Sequence, residues 1–192
     1  MAFRIPEHIK QNLFLKGKFF VNEINFEVIN QLINWILENR PKKKLFTVVI
    51  NSSGGSPQAV IYFASFAATL SKDVKLEGVA FGECGSAALA LLQCCTKRSA
   101  VNHCGFFIHH LHFKLNVNCQ SYNLETIKME ILDSQATERE LVQLQCQRTG
   151  ISESDWKKLA DEGETVDNKA ILPEEALQHG LIDEIIDQYE LF

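Results

Sequence analysis

The sequence contains no uninterrupted apolar run of membrane-spanning length, so no transmembrane helix is expected. Its start lacks an apolar segment as well. Arg4, Glu7, Lys10 and Lys16 break it up, which argues against a secretory signal. Positive charge is in short supply: 19 Lys and Arg stand against 24 Asp and Glu, for a net charge of −5. No broad basic surface is available for nucleic acid, and Lys42-Lys43-Lys44 reads as a solvated turn before a strand. The cysteines at 84, 94, 95, 104, 119 and 146 lack the spacing of a disulfide framework. Several lie in apolar runs, where a free thiol behaves as a small hydrophobe. A reducing, cytoplasmic setting is therefore expected. Internal repeats, linkers and low-complexity segments are absent too, so residues 1–192 are read as one domain with a real core.

What the chain does have is a regular alternation of two patterns. Residues 1–11 read as an N-terminal arm and Leu13-Phe14-Leu15 as a short strand stopped near Gly17. From Glu23 to Glu38 apolar residues recur at helical spacing, from Val28 and Ile29 to Ile36 and Leu37. Leu45 to Ile50 is a continuous, β-branched run, as in a strand buried on both faces. Asn51-Ser52-Ser53-Gly54-Gly55 follows, then Ser56 as helix cap and Pro57 in the first turn, with the helix running to about Leu70. Val74 to Phe81 reads as a strand, Gly82-Glu83-Cys84-Gly85-Ser86 as a turn, and Ala87 to Cys95 as a helix. Lys97-Arg98 reads as a polar break and Phe106 to His112 as a strand. The longest helical pattern runs from Leu124 to Gln147 and carries Ile127, Ile131, Leu132, Leu141 and Leu144. Shorter helices follow at Ser152 to Asp161 and Pro173 to Gln178, and a last strand at Leu181 to Ile186. This order predicts an α/β fold with a mainly parallel sheet covered by helices. The segment 113–148, polar along much of its length, is expected to project as a handle.

Chemistry concentrates at the ends of strands, where parallel sheets bind ligands. Ser86 is placed between a strand and a helix, close to the helix's free N–H groups. Glycine does not stand two residues either side of it, since Cys84 and Ala88 do, so the lipase-type elbow pattern is not met. Gly54-Gly55 allows a backbone N–H to approach a substrate. Gly55 and Ala87 are thus candidate oxyanion donors, and His109 is a candidate general base for Ser86. Cys104, His109, His110 and His112 invite a metal reading. On a strand, His110 and His112 would share one face and His109 the other, so no metal site is expected. Trp35 and Trp156 are assigned to packing.

Taken together, these residues resemble the Clp protease proteolytic subunit family over about residues 12–187. The matching segments are Phe14-Leu15-Lys16-Gly17, Ile50 to Gly55, Gly82 to Ser86 with Ile108-His109, and Glu175-Ala176 with Gly180-Leu181-Ile182-Asp183. The resemblance implies a crotonase-like fold of repeated ββα units. It implies Ser86 as nucleophile, His109 as base, and oxyanion donors at Gly55 and Ala87. It also implies stacked homo-oligomeric rings, unfolded polypeptide substrates and a ring-shaped ATPase partner, with no cofactor. Two departures stand out. Counting back from Ala176, the family's triad aspartate falls on Asn168, with Asp167 beside it, so either residue is the candidate third member. Leu111 replaces the family's proline, and His112 to Asn123 contains no glycine where the family has a glycine-rich strand. A non-catalytic or weakly active ring subunit is therefore the alternative to a serine peptidase. A coenzyme A thioester enzyme of the wider crotonase-like class is a third reading.

Overall fold

The computed structural model describes residues 17–112, 123–165 and 170–187. The Leu13–Leu15 strand, the 1–11 arm, Cys119 and both Asp167 and Asn168 lie outside these residues. The elements in chain order are β1 (Lys18–Val21), α1 (Phe26–Asn39), β2 (Leu45–Ser52), α2 (Pro57–Ala68), β3 (Lys75–Gly85) and α3 (Ala87–Gln93). After them come β4 (Lys97–Val101), β5 (Gly105–Phe107), α4 (Leu124–Thr149), α5 (Glu153–Gly163), α6 (Pro173–Gln178) and β6 (Glu184–Ile186).

The sheet runs β1-β2-β3-β4-β6, with β5 added against the far end of β3. Every paired strand is parallel, as the alternation predicts. In β2 each residue from Val48 to Ser52 is buried, as in a strand covered on both faces. All seven residues of α3 are buried as well; a helix apolar on every side belongs in the middle of a core.

Ser56 and Ser152 cap their helices as the sequence signals, and Asn25 joins them. Asn25 accepts from Val28 N at the start of α1, Ser56 from Ala59 N at α2, and Ser152 from Asp155 N at α5. Gly150 ends α4 in the left-handed region at φ 79°, where glycine carries no Cβ penalty.

Strand β1 at Lys18–Val21 was not singled out from the sequence. Three sequence expectations change. Lys97-Arg98 opens strand β4 rather than breaking the chain. Arg98 is turned inward, 6% exposed, because Asp183 binds its backbone N at 2.8 Å and its Nε at 3.2 Å. Gly82 to Gly85 is not a turn but the second half of β3. That strand pairs with β4 through Glu77–Ala80 and with β5 through Glu83–Gly85. It changes partner at Gly82, whose φ of 85° a side chain would strain. Finally, regular pairing in the histidine segment stops at Phe107.

Helix α4 is the other surprise. Only Leu141 and Gln145 are buried in its 26 residues. Leu124, Met129 and Leu132, in its first half, are each more than half exposed.

Candidate active site

Ser86 stands at the junction of β3 and α3 with φ 52° and ψ −124°. A non-glycine residue in that region is strained, and the surroundings hold it there. Its N–H donates to Phe107 O at 2.9 Å, while Ser86 O accepts from Leu89 N at 3.1 Å. The sharp turn is thus made at the serine itself. Its hydroxyl makes no capping bond to α3, and the residue lines a cavity.

The Gly-Gly segment packs directly against this turn. A Cβ at Gly54 would lie 2.8 Å from Ser86 Cβ and 3.3 Å from Ala87 N. Gly54 is fixed by Ser52, whose Oγ accepts from Gly54 N at 3.1 Å. Asn51 secures the strand leading to the serine, with Oδ1 accepting from Glu83 N at 3.1 Å. Gly55 sits opposite Ile24, but the bonds of that bridge run through its neighbours: Ile24 N donates to Gly54 O and Ser56 N to Ile24 O. The Gly55 N–H is left outside the bridge, on an exposed residue. Ala87 N is at the first turn of α3, where helix N–H groups have no intrahelical partner.

Ser86, Ala87 and His109 line one cavity of about 560 Å³. Leu89 of α3, Leu141 and Val142 of α4 and Trp156 of α5 form its apolar walls. Trp156, assigned to packing from the sequence, is 4% exposed and does both jobs. Among the described residues no hydrogen bond joins Ser86 Oγ to the His109 ring. The His109 Nδ1 lies 2.5 Å from His110 O. A carbonyl can only accept, so Nδ1 carries the proton and Nε2 keeps the lone pair.

His110 is engaged elsewhere. Its Nδ1 meets Glu138 Oε1 at 3.1 Å and its Nε2 meets Asp161 Oδ1 at 2.9 Å. The Asp161 bond, helped by Glu138, holds its pKa above the usual histidine value. His112 Nε2 meets Glu164 Oε1 at 3.0 Å. The rings of His109 and His112 lie 5.2 Å apart. The face assignment made from strand alternation therefore fails: the segment leaves the strand conformation after Phe107, and His109 and His112 come together.

Cys84, Cys95 and Cys104 are buried thiols. Burial pushes Cys84 and Cys95 well up and Cys104 up to about 12, so they serve packing rather than nucleophilic chemistry.

Sequence reasoning missed Gln145. It is 7% exposed, lines the cavity, and its Oε1 has no protein partner among the described residues. The signal was present: Gln145 falls four residues after Leu141, on the one stripe of α4 that reaches the core.

A family model described as Clp protease matches residues 8–189. The chain belongs to the Clp protease family. Among solved structures it is similar to the ClpP protease catalytic domain from Plasmodium falciparum, with a TM-score of 0.71 and 21% identity. That match covers 98% of this chain and 95% of the other. It shows that the α/β, crotonase-like fold expected from the sequence is that of Clp proteases. Comparison with curated proteins gives no match. This Clp family member has no helix, among its described residues, long and apolar enough to cross a membrane.

Proposed function

We propose that this chain is a serine endopeptidase of the Clp proteolytic type, cleaving unfolded polypeptides inside a homo-oligomeric ring. The observation that supports it most is the strained Ser86 at a strand-to-helix junction, with His109 lining the same cavity and Gly54 packed against the serine. A strained turn of this kind presents a nucleophilic hydroxyl at the top of a sheet.

In this reading Ser86 Oγ attacks the peptide carbonyl and passes its proton to His109 Nε2. The carbonyl oxygen gains negative charge and takes hydrogen bonds from Gly55 N–H and Ala87 N–H. Loss of one such donor costs roughly 2.7–4 kcal/mol in a serine hydrolase. The tetrahedral intermediate collapses, His109 protonates the leaving amine, and water then hydrolyses the acyl-enzyme by the reverse sequence. Asp167 or Asn168 is the proposed third member. The His110 carbonyl adds a fixed acceptor at His109 Nδ1. It sets the tautomer, as a triad acid would, but carries only a dipole against the imidazolium. A Clp-type ATPase would deliver unfolded substrate, and a cytoplasmic setting fits the buried free thiols.

Cleavage of an unfolded protein such as casein by the assembled protein, with and without the partner ATPase, tests the proposal. Activity lost in Ser86→Ala and in His109→Ala supports it. Equal activity in wild type and Ser86→Ala would overturn it.

The second reading is a ring subunit with little or no catalysis. Asn168 at the acid position and the neutral carbonyl at His109 Nδ1 favour it. In trypsin, the corresponding loss of the acid's charge costs roughly 10⁴ in turnover. Wild-type protein that assembles but does not cut would establish this second reading.

A further inference from the structure

The segment Ile108–His112 and the end of α5 converge on a second kind of chemistry. His109, His112 and Glu164 each offer a ligand atom, and these atoms all lie within 4.8 Å of one another. Their proximity is built into the backbone. A Cβ at Gly163 would lie 1.8 Å from Ile108 O, so only glycine lets α5 press its last turn against the histidine segment. Glu164, the next residue, also accepts from His110 N at 3.1 Å. The carboxylate thereby lies beside both rings.

We propose that His109, His112 and Glu164 form a site for a divalent transition ion of the zinc type. Two imidazoles and a carboxylate make a donor set that zinc accepts, with a fourth position left for water or substrate. Bond lengths of about 2.0–2.2 Å put tetrahedral ligand atoms roughly 3.3–3.5 Å apart. Separations beyond that range, up to the present 4.8 Å limit, must therefore close, while the His112 Nε2–Glu164 Oε1 pair, hydrogen-bonded at 3.0 Å, opens slightly as the metal replaces its proton; the His112 and Glu164 side chains, 69% and 36% exposed, can turn to do it. The His109 Nδ1 bond to His110 O is the outer contact that orients a ligating imidazole and leaves Nε2 its lone pair. His110 is not a ligand, because Glu138 and Asp161 hold both its nitrogens.

The consequence for turnover rests on the peptidase reading; the binding does not. A metal on His109 takes the lone pair that would accept the Ser86 proton. Zinc then acts as a reversible inhibitor that leaves the protein folded and assembled.

Cobalt(II) is the probe for the test, added to the full chain, with zinc displacing it. The expected result is one cobalt per chain, with the visible bands of four- or five-coordinate nitrogen and oxygen ligation and no thiolate charge-transfer band. His112→Ala and Glu164→Gln should each weaken binding by more than the roughly tenfold that a lost outer partner costs. Ser86→Ala should bind cobalt as wild type does. Where peptidase activity is measurable, zinc inhibition should be reversed by chelator and shift in parallel with affinity in Glu164→Gln. No binding, binding with a thiolate band, or binding untouched by both His112→Ala and Glu164→Gln would overturn the site. Cobalt binding in a protein whose Ser86 proves inert would leave the site standing and remove only its role in inhibition.

Discussion

Position 54 has room for a hydrogen atom and nothing larger. A methyl there meets Ser86 Cβ at 2.8 Å and Gly85 O at 3.1 Å, and the backbone φ of 126° is itself unsuited to alanine. Gly54→Ala should therefore cost about 1–3 kcal/mol, and it should displace Ser86 and Ala87. Thermal melting reads the first effect; loss of peptidase turnover beyond tenfold reads the second. Gln145 is expected to behave in the opposite way. Its buried Oε1, unpaired among the described residues, carries a desolvation cost. Gln145→Leu should raise Tm by about 2–4 °C per kcal/mol recovered, and an unchanged or lower Tm would show that the amide is satisfied. These two positions also show how far residues can be read without coordinates. Ser86, His109 and the Gly-Gly pair were visible because their chemistry is specific to their residue types. Gln145 was overlooked because its one mark of burial, the four-residue spacing from Leu141, is faint among the many polar residues of α4.

Among the elements, β4 shows what pattern alone hides. Its opening Lys97-Arg98 looks like a surface break. Arg98 instead reaches inward, donating to Gln93 Oε1 at 2.6 Å and Gly180 O at 2.9 Å, with Asp183 at 2.5 Å. Arg148 adds bonds to Gln93 O and Cys95 O. The network fastens the ends of α3, α4 and α6 to the sheet edge near β6. The hydrogen bonds from Arg98 hold the Asp183 pKa below the usual carboxylate value. A depressed pKa means that the unfolded chain binds the proton more readily. The stabilisation is therefore present above the unfolded value of about 3.9 and is lost as pH falls through the lower, folded one. Asp183→Asn should cost about 1–2 kcal/mol at neutral pH, a figure reduced because the carboxylate is 38% exposed. The difference from wild type should shrink in melts taken between pH 5 and about 2; a constant difference would mean that packing, not charge, is at stake. Periodicity placed most helices within a few residues, helped by the caps written in the sequence at Ser56 and Ser152. It failed after Phe107, where pairing ends for reasons of topology: β5 is only three residues long.

For the whole molecule, two features bear on the proposed assembly and activity. The first half of α4 leaves Leu124, Met129 and Leu132 exposed at 68%, 59% and 58%. If another copy covers this exposed apolar stretch in the proposed ring, Met129→Glu with Leu132→Glu should shift sedimentation toward smaller species. Retention of the full oligomer would place the contacts elsewhere. The fold class was legible in the alternation of strand and helix patterns, and the family in four short motifs kept in order. The triad acid was not, because counting back from Ala176 leaves Asn168 and its neighbour Asp167 one residue apart, and both lie outside the described residues. If Asn168 occupies the acid position, Asn168→Asp should raise turnover, by up to roughly 10⁴. No gain would assign the role to Asp167 or to the His110 carbonyl. The central claim is that Ser86 is a nucleophile activated by His109. A fluorophosphonate probe, applied to the assembled protein and followed by peptide mass spectrometry, tests it most directly. The account predicts a single adduct on Ser86, absent in Ser86→Ala and strongly slowed in His109→Ala. An assembled, folded protein that leaves Ser86 unmodified would contradict it.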